Sequence, residues 1–70
     1  MGVTAGVSDS LMLIPRGKWH GLCIEYKRED GRQSEAQKVW QSKVEAQGFR
    51  YEVVRSLEQF KELVREYLEL

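Results

Sequence analysis

The chain has 70 residues, 41% of them apolar and 31% charged, which leaves room for one small globular domain over residues 1–70 and excludes a disordered composition. Lys plus Arg equals Asp plus Glu at 11 each, so bulk charge does not make the chain a polyanion binder, and any nucleic-acid contact must come from a local basic patch. One cysteine, Cys23, and one histidine exclude an internal disulfide and a zinc site built from several such ligands, and no apolar run reaches the ~20 residues of a membrane span. Met1-Gly2 is followed by Gly6 where a myristoylation signal wants Ser or Thr, and no charged-then-apolar leader is present. A cytoplasmic domain without membrane attachment is expected.

Residues 1–8 are small and weakly patterned and read as an entry loop. Leu11-Met12-Leu13-Ile14 is a continuous apolar run closed by Pro15, which suits a short strand covered on both faces. Pro15 to His20 is turn chemistry, and a second strand resumes at Leu22. On it Leu22, Ile24 and Tyr26 share one face while Cys23, Glu25 and Lys27 share the other. A charged turn around Asp30-Gly31 follows. Ser34 with Gln37 fits a capping box, Ala36, Val39, Trp40 and Val44 form an apolar stripe, and Gly48 suits the left-handed end, so a helix is predicted from Ser34 to about Gln47. Phe49, Tyr51 and Val53 alternate with Arg50 and Glu52 as in a half-buried strand. Ser56 with Gln59 offers a second capping box, and Leu57, Phe60, Leu63, Val64, Tyr67 and Leu68 mark one face of a last helix. The sum is an α/β fold: a β-hairpin plus a βαβ unit, giving a small mixed sheet flanked by helices.

The hairpin brings Asp9, just before the first strand, beside Glu25 and Lys27 at the end of the second. Two converging carboxylates suit a hard cation such as Mg²⁺, with Mn²⁺ as a substitute, and an adjacent lysine can orient or help deprotonate a water. That is the chemistry of phosphodiester hydrolysis. Arg16, Lys18, Arg28, Arg32 and Lys38 lie in loops and the first helical turn around the expected site, where they would contact phosphates. A solvated ion pair is the bland reading of Glu25 and Lys27, and solvated surface charge that of the basic residues. His20 reads as a solvated or structural loop histidine, Trp19 as an aromatic anchoring its loop, Trp40 as core, and Cys23 as an inert buried thiol.

Gly6-Val7-Ser8-Asp9-Ser10-Leu11-Met12-Leu13, then Gly21-Leu22-Cys23-Ile24-Glu25-Tyr26-Lys27, then Ser34-Glu35-Ala36-Gln37 resembles the VRR-NUC family of the PD-(D/E)xK nuclease superfamily. The resemblance implies a restriction-endonuclease-like core. It implies that Asp9 and Glu25 bind the metal with the backbone carbonyl of Tyr26, that Lys27 assists the water, and that Gln37 projects into the site from its helix as well as capping it. The family usually has proline before the aspartate, and Ser8 stands there. Its members also carry an N-terminal helix that supplies a further acidic residue, whereas eight residues precede Asp9, so a truncated piece or a site completed otherwise is expected.

The expected function is a metal-dependent DNA endonuclease selective for branched DNA such as four-way junctions, because short members of this type resemble phage or bacterial enzymes. The alternative is a non-catalytic nuclease-like module that binds DNA or protein. A core of this size seldom supplies more than about 3–5 kcal/mol of net stability. The apolar first strand and the need for two cuts in a junction therefore point to a homodimer.

Overall fold

The alternation along the chain sets the strands, and the capping residues set the helices. In a computed structural model describing residues 8–70, the order is β1 (Ser10–Met12), β2 (Gly21–Tyr26), α1 (Glu35–Ala46), β3 (Phe49–Val54) and α2 (Leu57–Leu68). The expected entry loop over residues 1–8 lies outside the described residues except for Ser8. β2 is the central strand, antiparallel to β1 and parallel to β3, so the hairpin and the βαβ unit both form.

A helix covers each face of β2. Leu22 and Ile24 join Val54, Leu63 and Tyr67 in the hydrophobic core beneath α2, with Met12, Trp19, Phe60 and Val64 packed around them. Cys23 and Glu25 occupy the opposite face with Tyr51, toward α1. Only the α2 face is a conventional apolar core. No residue of α1 is fully buried, and Val39, part of the expected stripe, is exposed.

The first helix begins as its capping pair dictates. Ser34 Oγ accepts from the Gln37 amide at 3.1 Å, and Gln37 Oε1 accepts from the Ser34 amide at 2.9 Å, so each side chain satisfies a free N–H of the first turn. Gly48, at φ +88°, ends the helix in the left-handed region. His20 closes this end from outside. Its Nδ1 faces the Gln47 carbonyl at 2.6 Å, and a carbonyl only accepts, so Nδ1 carries the proton. The His20 amide donates to the Gly48 carbonyl at 2.9 Å, and the ring stands edge-on to Phe49. His20 is therefore structural. The second helix differs from its expected cap in one detail. Ser56 Oγ accepts from the Gln59 amide at 3.1 Å, but Gln59 Oε1 reaches the amide of Arg55 at 2.6 Å instead of that of Ser56.

The expectation for the first strand is corrected. The apolar run Leu11–Ile14 is not a strand covered on both faces: β1 is a three-residue edge strand, and Leu11, Leu13 and Ile14 are 47%, 72% and 42% exposed. Pairing stops at Met12 because the chain leaves the sheet ahead of Pro15, which has no N–H to donate, and doubles back through a tight turn with Gly17 at φ +55°. On β3, Arg50 and Glu52 form part of an ion-paired edge. Arg50 Nε meets Glu52 Oε2 at 2.9 Å and its Nη2 meets Glu66 Oε1 at 3.0 Å, which ties the strand edge to α2.

A Cβ on Gly48 would meet His20 Nδ1 at 2.7 Å and would sit at a left-handed φ. Gly48→Ala is therefore expected to lower stability by about 1–3 kcal/mol, read as a shift in the urea midpoint with an unchanged denaturant slope.

Candidate active site

The site is built on the register of the hairpin. Ser10 pairs with Ile24, so Asp9 stands opposite Glu25 at the open end of the ladder. Asp9 Oδ2 accepts from the Tyr26 amide at 2.7 Å, which seats its carboxylate against the Glu25–Tyr26 peptide. Ser8, the residue in the usual proline position, is buried, and its Oγ accepts from Trp40 Nε1 at 2.8 Å. Contrary to its reading as core, Trp40 is half-buried and lies outside the hydrophobic cluster. It fastens the turn that delivers Asp9 to the first helix.

Glu25 is 1% exposed and carries a hydrogen bond on each oxygen. Gln37 Nε2 donates to Oε2 at 3.1 Å, and the Tyr51 hydroxyl donates to Oε1 at 2.9 Å. Gln37 therefore holds the helix cap with its oxygen and the carboxylate with its nitrogen. Tyr51 in turn accepts from Gln33 Nε2 at 3.2 Å, and the same nitrogen lies 3.0 Å from Gln41 Oε1. Burial pushes the Glu25 carboxyl above its ordinary range, and the nearby Asp9 adds to the effect, while Tyr51 and Lys27 oppose it. Burial also pushes the Tyr51 hydroxyl up to about 12, so it remains a donor. Cys23, wholly buried on the same face, has its thiol pushed up by burial as well, which fits an inert sulfur.

The donor set suits a small hard cation. Asp9, Glu25 and the Tyr26 carbonyl offer oxygen only, the donor type Mg²⁺ prefers. Among the described residues, no cluster of three or more His, Cys, Asp or Glu forms. Lys27 follows on the same strand face, half-buried, with its amide donating to the Val54 carbonyl at 3.0 Å.

The basic residues divide into two groups. Arg28, Arg32 and Lys38 lie on the turn after Lys27 and the first turn of α1, where Lys38 Nζ is 3.5 Å from Glu35. Arg16 and Lys18 are not brought to the site, contrary to the reading from sequence. They occupy the far end of the hairpin, separated from Glu25 by about 13 Å of strand at ~3.3 Å per residue. There Arg16 Nε donates to the Leu68 carbonyl at 3.3 Å, and Lys18 Nζ sits 4.8 Å from the Trp19 ring centroid. Sequence reasoning missed Tyr51 and Gln33, which read as a core aromatic and a turn residue. Arg55 was also missed: its Nη1 lies 2.6, 3.2 and 2.9 Å from the carbonyls of Arg28, Glu29 and Gly31, and so braces the turn after Lys27.

A carboxylate pair and a lysine thus stand at the end of a β-hairpin, with a helical glutamine holding one carboxylate. The VRR-NUC domain family model matches residues 1–58, and the chain belongs to that nuclease-like family. A solved structure described as a VRR-NUC domain protein superimposes with a TM-score of 0.90 at 29% identity, over 97% of this chain and 57% of its own. This chain therefore spans little more than half of that relative's length. None of the curated proteins matches it.

Because the raised Glu25 carboxyl favours the protonated form in the folded state, its burial costs stability above its folded pKa. The cost fades as pH falls toward the ordinary glutamate range. Glu25→Gln, in chelator and without metal, is expected to melt above the wild type at about pH 7. The gap should close near about pH 4, and thermal melts followed by circular dichroism at the two pH values read the difference.

Proposed function

We propose that the chain is a metal-dependent DNA endonuclease domain. Asp9, Glu25 and the Tyr26 carbonyl would hold Mg²⁺, and Mn²⁺ would substitute. The observation that carries the reading is the placement of Asp9 opposite a buried Glu25 with Lys27 two residues on. A divalent cation there supplies charge neutralisation for the phosphate and a more acidic water. Neither side-chain donor to Glu25, Tyr51 or Gln37, carries a positive charge, so the charge of the carboxylate is left for the cation to neutralise. Lys27 holds a proton beside the pair and orients the attacking water. Arg28, Arg32 and Lys38 contact the phosphates flanking the scissile bond.

Branched DNA, including four-way junctions, is the proposed substrate, and the working unit is a homodimer. Resolution of a junction needs two sites. The exposed Leu13, Ile14, Leu68 and Leu70, gathered where the hairpin turn meets the end of α2, support burial against a second copy. No helix among the described residues is long and apolar enough to cross a membrane.

A labelled four-way junction and a linear duplex of matched length test the reading. Mg²⁺-dependent cleavage of the junction is expected. Lys27→Ala should lower the rate by about 100-fold or more while changing DNA affinity by less than about threefold, since one ammonium among several contributes little to phosphate attraction. DNA binding by the wild type without cleavage in either Mg²⁺ or Mn²⁺ would assign the chain as a non-catalytic binding module. Light scattering at tens of micromolar protein, about the range where weak dimers assemble, should give twice the chain mass.

A further inference from the structure

Tyr51 occupies a position that alternation assigns to an apolar core residue, and at 7% exposure it is nearly enclosed. Phenylalanine would fill the same volume, so the hydroxyl needs its own account. Buried hydroxyls persist where their hydrogen bonds are satisfied. This one donates to Glu25 Oε1 at 2.9 Å and accepts from Gln33 Nε2 at 3.2 Å. On the other side of the carboxylate, Gln37 Nε2 donates to Oε2 at 3.1 Å. Each carboxylate oxygen can accept about two hydrogen bonds, so one donor on each leaves capacity on both for a cation. Both donors are also neutral. An arginine at either place would compensate the charge that a metal must meet.

We propose that Tyr51 is the positioning residue for Glu25: its hydroxyl, oriented by Gln33, fixes the carboxylate as a cation ligand without neutralising it. The proposal rests on the metal-site reading above. Tyr51 touches neither substrate nor metal and acts only through Glu25. Donors that orient a ligating carboxylate typically contribute about 10–100-fold to metal affinity.

Mn²⁺ binding to the full chain, followed by the electron paramagnetic resonance signal of free Mn²⁺, is the test. The wild type should bind, and Asp9→Asn should bind much more weakly. Tyr51→Phe is expected to weaken Mn²⁺ binding by about tenfold while its far-ultraviolet circular dichroism stays that of the wild type. Cys23→Ala removes a buried group from the same face, register partner of Tyr51, without removing a donor to Glu25. It should lose thermal stability and keep its Mn²⁺ affinity. Wild-type affinity in Tyr51→Phe would overturn the positioning role and leave the metal site standing. Equal losses in Tyr51→Phe and Cys23→Ala would also overturn it, by showing that loosened packing is responsible. A wild type that binds no Mn²⁺ would overturn the metal-site reading and this proposal together.

Discussion

A buried carboxylate governs one whole side of this small domain. Taking the charge of Glu25 out of water is costly, and placing Asp9 opposite raises the cost. No arginine or lysine pairs with it among the described ion pairs. Two neutral donors satisfy its oxygens, and neither removes the charge. Residues on α1, on β3 and in the turn before α1 are arranged around that one group. A buried charge without a cationic partner is tolerated here by a fold that is stabilised elsewhere.

The stabilising half lies on the other face of the same strand. Leu22 and Ile24 pack with Val54, Leu63 and Tyr67, and the Tyr67 hydroxyl donates to the Ile14 carbonyl at 2.7 Å to hold the hairpin over α2. One six-residue strand thus carries the apolar core on its even positions and the buried carboxylate on its odd ones. The period of two keeps the functions apart, and a one-residue slip in register would exchange them. Pinning at both ends of the sheet guards the register: His20 ties β2 to the end of α1, and Asp9 ties the end of β2 to the start of β1.

What could be read from the sequence was whatever is local. Alternation over Leu22–Lys27 placed Glu25 and Lys27 on one face, and Ser34 with Gln37 located the helix start to the residue. The hairpin geometry was enough to bring Asp9 to Glu25. Interactions between distant residues were not legible. Tyr51 read as an apolar residue because its hydroxyl partner lies 26 positions away, and nothing local marks it. For Arg16 and Lys18, nearness in sequence to the hairpin is not nearness to the site, because a strand's length intervenes. β1 was overestimated because an apolar run signals burial but not which residues of it a three-stranded sheet reaches. Ser8 looked like a tolerated departure from proline, and its bond to Trp40 depends on packing across 32 residues.

The bracing of backbone carbonyls by Arg55 bears on how salt would act on a nucleic-acid complex. Its guanidinium is occupied by the turn at 28–31, Arg16 by the end of α2, and Arg50 by Glu52 and Glu66. Cations committed inside the fold release no counterions from a polyanion. If Lys27, Arg28, Arg32 and Lys38 meet phosphates as proposed, four contacts correspond to a slope of about −3.6 in log affinity against log salt for duplex DNA. Affinity per chain would then fall only moderately over the physiological range of ionic strength, and a second subunit would steepen the dependence by doubling the phosphates neutralised.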